Sequence, residues 1–226
     1  MNNLNKILAS IAFLFSLVIY IWTMAPTTSF WDCGEFIATS VIMGVPHPPG
    51  TPFYLLLGNF FSQLPTFSDI GARVNLISPI FSAFAVMFLY LIIVQLIEEW
   101  FGEVKSWPDY LIIYGSALIG ALTFAFTDSH WFNAVEAEVY SLSTFFTSIV
   151  VWLILKWSSN SGHSGNVRYI LIIAYMLGLA IGIHLLNLLA LPFIAIIVYF
   201  NKYEFKFGTF MATMGITLLT FIVIYQ

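Results

Sequence analysis

The 226-residue sequence is poor in charge and contains a single cysteine. Only 8% of its residues are charged, whereas 60% are hydrophobic, and soluble proteins carry roughly 25% charged residues. This composition excludes an ordinary soluble domain and predicts a membrane protein. The lone Cys33 excludes an intrachain disulfide and a cysteine-cluster metal site. Because there is no basic patch with interleaved aromatic residues, nucleic acid is not an expected partner.

Long apolar stretches make up most of the sequence. A helix of about 20 apolar residues crosses the roughly 30 Å hydrocarbon layer. A single helix over residues 169–200 would be about 48 Å long, so we expect a hairpin there with His184 and Asn187 at its tip. The sequence therefore predicts an all-α integral membrane protein with a bundle of about seven transmembrane helices. The predicted spans are residues 7–24, 74–97, 110–126, 139–155, 169–183, 188–200 and 207–225.

The basic residues predict which way this bundle lies in the membrane. If the N-terminus is cytoplasmic, every lysine and arginine except Arg73 falls on the cytoplasmic side, as the positive-inside rule requires. Residues 25–73 then form the first extracytoplasmic loop, and residues 127–138 and 184–187 lie on the same side. In a bacterium the location would be the inner membrane. The cations placed inside are Lys6, Lys105, Lys156, Arg168, Lys202 and Lys206.

The long loop 25–73 is itself predicted to be helical. Ser29 is a suitable N-cap for a helix that runs to about Met43 and carries Asp32 in its first turn. Thr51 followed by proline is typical of a second helix start, and this helix should reach about Gln63. Both helices are apolar enough to lie in the membrane interface.

The same loop holds the first candidate residues for chemistry, Asp32 and Glu35. A spacing of three places both on one face of a helix. Two neighbouring carboxylates favour a shared proton or a bound cation, and one of them can serve as a general base. Alternatively, Asp32 only completes a cap with Ser29 and Glu35 is solvated. His47 lies among prolines that stiffen its backbone, which suits hydrogen bonding to a phosphate or sugar, although an exposed turn histidine is the plainer interpretation.

A second acidic segment precedes the fourth predicted span. Glu136 and Glu138 are two residues apart, so an extended backbone presents both on one side, as binding of a divalent cation would require. The alternative is two interfacial glutamates at the end of a span. Asp128 and His130 add further ligand atoms, but their spacing matches no zinc or calcium motif.

Four motifs together resemble a known family of polytopic membrane proteins. This family was once classed as a domain of unknown function and is now associated with protein O-mannosyltransferase activity. The resemblance covers almost all of residues 1–200. The motifs are Trp31-Asp32-x-Gly34-Glu35-Phe36, His47-Pro48-Pro49-Gly50-Thr51-Pro52, Arg73-Val74-Asn75-Leu76 and Ala134-Val135-Glu136-Ala137-Glu138-Val139-Tyr140.

The resemblance implies a GT-C glycosyltransferase, in which a catalytic acid in the first extracytoplasmic loop acts on a polyprenyl-phosphate sugar. By position Asp32 is similar to that acid and Glu35 to its partner. The paired acids of better-known O-mannosyltransferases are adjacent, so which of the two is the base stays open. The acceptor would be a Ser or Thr hydroxyl of an exported protein. Residues 1–226 would be one transmembrane module, the N-terminal part of a longer protein.

On this hypothesis the donor phosphate and substrate are bound by His47, Arg73, His184 and Asn187. Arg73 is the only cation predicted on the outer side. We expect no required cofactor, with a divalent cation at Glu136 and Glu138 as the alternative.

Two other functions remain open on the sequence. The chain could be a transporter or lipid flippase, or a non-catalytic subunit of a membrane assembly. Transporters keep ionisable or unwound elements near the membrane midplane, and no Asp, Glu, Lys, Arg or His lies inside the seven predicted spans. This counts against a transporter.

Overall fold

A computed structural model describes residues 3–102, 106–160 and 166–225. Lys105 and the connector residues 161–165 lie outside the described residues. The described part is helical and contains no strand, as predicted. The helices are α1 Asn3–Thr23, α2 Cys33–Ile42, α3 Pro52–Ser62, α4 Ile70–Asn75, α5 Ile77–Phe101, α6 Trp107–Tyr110, α7 Ser116–Ala125, α8 Asp128–Ala134, α9 Val139–Ser159, α10 Val167–Ile181, α11 Ala190–Lys202 and α12 Phe207–Tyr225.

Six helical stretches in the described residues are long and apolar enough to cross a membrane. They include α1, α9 and α12, while α4 joins α5, α6 joins α7 through a π-helical turn, and a 3₁₀ segment precedes α11. The fifth predicted span corresponds to α10, an apolar helix of 15 residues, which is shorter than an ordinary span. The prediction of an all-α, multi-pass membrane protein is confirmed.

The bundle is built around α5, which packs against α1, α7 and α9. Small side chains fill the contacts between α1, α5 and α7, so the helix backbones approach closely, as is common between helices in lipid. Aromatic rings fill the contact between α5 and α9, where Phe88 meets Trp152 at 5.4 Å between ring centroids. The buried alanines at these contacts are Ala9, Ala12, Ala83, Ala117 and Ala121.

The bundle has two polar ends, named here the Asp32 end and the Ser159 end. At the Asp32 end, the chain leaving α1 meets the segment before α9, where the Ala25 amide donates to the Val135 carbonyl at 2.8 Å. At the Ser159 end, the Gln95 side chain of α5 donates to Ser159 Oγ at 2.9 Å. Every loop residue considered for chemistry below lies at the Asp32 end.

The predicted hairpin of α10 and α11 is confirmed. Asn166, just before α10, donates to the Trp157 carbonyl, and Asn201, near the end of α11, donates to the Ser158 carbonyl, both at 3.2 Å. The chain therefore leaves and returns at the Ser159 end. Its turn is bonded to the first loop, because the Phe53 amide donates to the Gly182 carbonyl at 2.8 Å.

The loop helices differ from the prediction at one point. The second helix, α3, begins at Pro52 as expected. The first, α2, begins at Cys33 instead of following a Ser29 cap, because Trp31 adopts a left-handed conformation with φ of 55° and turns the chain immediately before it. The Ser29 amide donates to Cys33 Sγ at 3.4 Å. The predicted capping role of Ser29 is therefore wrong.

Candidate active site

Glu35 and His47 form a doubly bonded pair at the mouth of the Asp32 end. Glu35 Oε1 accepts the His47 backbone N–H at 2.7 Å, and Glu35 Oε2 lies 2.8 Å from His47 Nδ1. One carboxylate thus holds both the backbone and the ring of the proline-rich turn against α2. The pair stays accessible, with side-chain exposures of 48% for His47 and 37% for Glu35. The structure brings together two residues that are 12 positions apart in the sequence.

The hydrogen bond between Glu35 and His47 shifts the pKa of both side chains. The hydrogen bond from His47 lowers the pKa of Glu35 below its usual value, and the same bond raises the pKa of His47. The neighbouring charges of Asp32 and Glu138 raise the pKa of His47 further. Glu35 is therefore a poor proton acceptor, whereas His47 favours the cationic form. A cationic imidazole with Nε2 free of Glu35 is suited to binding an anion.

Asp32 is the uncommitted carboxylate of the cluster. It occupies the N-cap position of α2, but its side chain makes no capping bond, and no described residue donates a hydrogen bond to its carboxylate. Its side chain is exposed and lies, with Glu35 and His47, in a group whose ligand atoms are all within 4.8 Å of one another. A capping role, the plainer sequence interpretation, does not account for Asp32.

The group of Asp32, Glu35 and His47 has the residue types of a cation site. However, both Glu35 oxygens and His47 Nδ1 are used in the bonds between those two residues. A metal ion could bind Asp32 and His47 Nε2 without replacing these bonds, but only through a neutral ring. Because Glu35 raises the pKa of His47 and favours its protonated form, the arrangement suits an anion beside a free carboxylate.

The second acidic segment lies directly behind this cluster. Residues between α8 and α9 are not helical, and the backbone at Glu138 is extended, with φ of −134° and ψ of 144°. Glu136 and Glu138 are 1% and 5% exposed, and Glu136 Oε1 has no hydrogen-bond partner in the described part of the chain. Both glutamates therefore lie at the end of a span, as the plainer alternative has it, but their side chains are buried and do not face solvent.

Burial raises the pKa of Glu138, so this carboxyl ionises less readily than an exposed glutamate. Desolvation raises the pKa of Glu138 to about 7, and the charges of Asp32 and Glu136 add to the increase. Near neutral pH this carboxyl is about half protonated, and the protonated form donates a hydrogen bond instead of adding another negative charge. The charge at the Asp32 end therefore depends on pH close to neutrality.

Glu138 yields a stability prediction with a defined sign. The pKa of Glu138 is higher in the folded state, so its stabilising contribution is complete below about pH 4.5 and disappears as pH rises through about 7. Glu138→Gln should remove that dependence. As pH rises from about 4.5 to about 7, the free energy of unfolding of the unsubstituted protein should therefore fall by up to about 3 kcal/mol relative to that of Glu138→Gln. Thermal unfolding in detergent across this range measures it.

The control for this prediction is Glu204→Gln. Glu204 is exposed in the turn between α11 and α12, so its substitution should leave the pH dependence of the melting temperature unchanged. Parallel melting curves for Glu138→Gln and the unsubstituted protein at every pH would contradict the prediction.

One buried amide joins the two acidic loops. Asn75, at the end of α4, is completely buried. Its Nδ2 donates to the carbonyls of Ala25 and Thr27, both at 2.9 Å, and its Oδ1 accepts the Ala137 N–H at 3.0 Å. The residue between Glu136 and Glu138 is therefore bonded to the same side chain as the segment leading to Asp32.

Residues 32–206 match the family model described as the Protein O-mannosyl-transferase TMEM260 N-terminal domain. The chain belongs to this family. Protein O-mannosyl-transferase tmem260 of Dictyostelium discoideum is 26% identical over 155 residues, which cover 67% of the chain and 17% of that protein. Protein O-mannosyl-transferase TMEM260 of Mus musculus is 26% identical over 175 residues, 77% of the chain and 22% of that protein. The chain thus matches about a fifth of the length of these relatives, and no solved structure matches it.

The other site residues predicted from the sequence of this TMEM260-family chain make their hydrogen bonds elsewhere. Arg73 donates to the carbonyls of Phe67 at 2.6 Å, Ser62 at 3.2 Å and Ser68 at 3.5 Å. The guanidinium thereby orders the chain that follows α3. Its hydrogen bonds in the described structure are all to this loop and none is to the acidic cluster.

His184 and Asn187 lie at the hairpin turn. Asn187 is buried, accepts from Ser143 at 3.0 Å and Thr147 at 3.1 Å, and donates to the Ala180 and His184 carbonyls. Through these four bonds Asn187 closes the hairpin turn. His184 Nδ1 accepts the Leu186 N–H at 3.1 Å, and burial lowers the pKa of His184. Its ring lines a groove of about 420 Å³ beside the proline-rich turn that carries His47.

Sequence reasoning missed the part played by Asn75 in this TMEM260-family chain, although it quoted the Arg73-Val74-Asn75 motif. The available signal was an amide at the start of an otherwise apolar span. Such a group must find partners inside the protein, because lipid offers none. Tyr54, also missed, is fully buried, and burial raises its pKa with a further contribution from the charge of Glu138.

Proposed function

We propose that the chain is the catalytic membrane module of a GT-C type glycosyltransferase that transfers a mannose-like sugar from a polyprenyl phosphate to a Ser or Thr hydroxyl. The observation that carries this proposal is the position of Asp32, a carboxylate without a capping bond, close to His47, whose pKa is raised by Glu35. Both relatives are named protein O-mannosyl-transferases, which supports the same chemistry.

The reaction requires one base and one anion-binding group. The acceptor oxygen attacks C1 of the sugar and forms the new glycosidic bond. The bond from C1 to the phosphate oxygen breaks, and the electron pair leaves with the polyprenyl phosphate. Asp32 takes the acceptor proton. A phosphate is already a good leaving group, so general-base catalysis with electrostatic stabilisation of the departing charge is chemically sufficient.

Glu35 and Asp32 have different tasks on this proposal. Both oxygens of Glu35 accept bonds from His47, so Glu35 orients the ring and favours its charged form. His47 then faces the donor phosphate through Nε2. The carboxylate of Asp32 has no such commitment and can accept the acceptor proton. Binding of the donor phosphate by Arg73 or His184 stays a prediction.

The groove beside His47 suits the lipid part of the donor. Its walls are mostly apolar, and it begins at the prolines that follow His47. A donor phosphate at His47 would have its isoprenoid chain beside these walls, where burial of apolar surface stabilises it by about 25 cal/mol per Å². The groove is lined by Pro48, Pro49, His184, Leu185, Leu186, Leu189, Phe221 and Tyr225.

Reconstitution in proteoliposomes tests the function. With polyprenyl-phosphate mannose as donor and a Ser/Thr-rich peptide as acceptor, we expect mannosylated peptide, and we expect the rate to persist in EDTA because the site chemistry needs no metal. Movement of the lipid donor between leaflets without transfer would support a flippase instead. Absence of both would favour a non-catalytic assembly subunit. Loss of activity in EDTA restored by Mn²⁺ or Mg²⁺ would show that a cation takes part.

We also propose that the N-terminus is cytoplasmic and the Asp32 end extracytoplasmic. Lys156, Arg168 and Lys202 lie near the Ser159 end, as the positive-inside rule predicts for the cytoplasmic side. Cysteines introduced at Phe67 or Ser129 should react with an impermeant thiol reagent applied outside intact cells. A cysteine at Ser161, outside the described residues, should not react. The unsubstituted protein is the background control, since its Cys33 is buried, and external labelling at Ser161 would reverse the orientation.

A further inference from the structure

The Asn75 side chain links the two acidic loops directly, next to the backbone bond from the Ala25 amide to the Val135 carbonyl. On one side it is bonded to Ala25 and Thr27 at the start of the loop that leads to Asp32. On the other it is bonded to Ala137, which lies between Glu136 and Glu138. This one amide therefore contacts both loops and contributes to the register of one against the other.

The hydrogen bonds of Asn75 to Ala25, Thr27 and Ala137 are called the clamp below. Its three hydrogen bonds to backbone groups measure 2.9 to 3.0 Å, which is the ordinary length for strong N–H···O bonds. The Cys33 thiol at the start of α2 also points to Asn75 Oδ1 at 3.7 Å. With the side chain fully buried, removal of the amide takes this partner away from the buried Ala137 N–H and from the carbonyls of Ala25 and Thr27, and a shift of the loops is expected to satisfy the buried N–H.

The clamp fixes the positions of groups that influence each other electrostatically. The charges of Asp32 and Glu136 raise the pKa of Glu138, so these carboxylates are close in space although more than 100 positions separate Asp32 from Glu138 in the sequence. A shift of one loop against the other would change both the distance from Asp32 to a bound acceptor and the local charge. Misplacement by about 1 Å is enough to reduce a rate about 10²-fold.

We propose that Asn75 is a positioning residue that holds the Asp32 loop and the Glu136–Glu138 segment in catalytic register. The inference rests on the proposed glycosyl transfer for its kinetic consequence, whereas its geometric consequence is independent of any activity. Asn75 touches neither donor nor acceptor and acts through the backbone of both loops.

The geometric test measures the distance between the loops. Spin labels on cysteines introduced at Phe30 and Ser129, which are both exposed, report that distance in the full protein in detergent or nanodiscs. Asn75→Leu should shift or broaden the distance distribution. Asn75→Ser, which keeps a shorter polar side chain, is the second variant in case the leucine variant does not fold. An unchanged distribution in a folded variant would overturn the proposal.

The kinetic test separates positioning from stability. Per folded molecule, Asn75→Leu should lower kcat about 10- to 100-fold while KM for the lipid donor changes less than about threefold, because the proposed donor contacts lie at His47 and the groove. A merely structural residue would reduce the yield of folded protein and leave kcat unchanged. An altered distance with normal kcat would overturn the proposal.

Asn201→Leu is the matched control. Asn201 also uses its amide to join two segments, donating to the carbonyl and hydroxyl of Ser158, but at the Ser159 end. Its loss should leave both the loop distance and kcat unchanged. If the unsubstituted protein transfers no sugar but Asn75→Leu still shifts the loops, the proposed function fails while the clamp stands.

Discussion

Asp32→Asn is expected to remove nearly all sugar transfer from a protein that still inserts and folds. Removal of a general base typically lowers the rate by 10²- to 10⁴-fold. The substitution keeps the size of the side chain. Since the Asp32 carboxylate makes no capping bond in α2, the stability loss should be smaller than the roughly 1 kcal/mol of an ordinary cap. Transfer per folded molecule and the melting temperature in detergent measure the two effects.

Asp69→Asn provides the matched control in the same loop. Asp69 is a true N-cap, because its Oδ1 accepts the Ala72 N–H at 3.0 Å at the start of α4. Asparagine is an equally good N-cap, so this variant should retain transfer. Near-normal transfer by well-folded Asp32→Asn would move the base to Glu35 or to the second acidic segment.

Patterns that depend on local physics were predictable from the sequence. Apolar length indicated the spans, and the polar pair His184 and Asn187 within a stretch too long for one helix indicated the turn between α10 and α11. The structure shows that turn, with Asn187 closing it through four hydrogen bonds. The start of α3 at Pro52 followed in the same way from the conformation that proline imposes.

Features that depend on contacts between distant segments were not predictable in this way. The capping pattern at Ser29 was plausible locally, but the left-handed Trp31 moves the start of α2, and with it the N-cap position, three residues further along the chain. Arg73 looked like a free outer cation, whereas three loop carbonyls surround it. Neither outcome follows from residue type, because each depends on where the rest of the loop passes.

In the candidate site, too, features set by local sequence were predictable and features set by distant contacts were not. The acidic residues were recognisable from their motifs, but their division of labour was not. The spacing of Asp32 and Glu35 suggested a shared proton or a bound cation, whereas the structure pairs Glu35 with His47 across a turn. Burial of Glu136 and Glu138 likewise depends on α8, α9 and the first loop closing over them.

Loss of the Glu35 charge should weaken transfer chiefly by changing the protonation of His47. Glu35 raises the pKa of His47, so Glu35→Gln should lower that pKa and reduce the fraction of cationic His47 near neutral pH. The glutamine oxygen can still accept the His47 backbone N–H, which keeps the turn in place. We expect the alkaline limb of the kcat/KM profile to move to lower pH, with a small loss of activity where His47 is protonated in both proteins.

A double-mutant cycle with His47→Gln decides whether the pair acts as one unit. Loss of a preorganised charge that stabilises a leaving group lowers the rate by about 10²-fold or more, so His47→Gln alone should show about that effect where His47 is protonated in the unsubstituted protein, and a smaller effect above the alkaline limb. Once His47 is absent, Glu35→Gln should add little, because its task is to orient and charge that ring. Losses that multiply in the double variant, or an alkaline limb that stays in place in Glu35→Gln, would show that Glu35 acts independently of His47. In that case Glu35 would be the stronger candidate for the base.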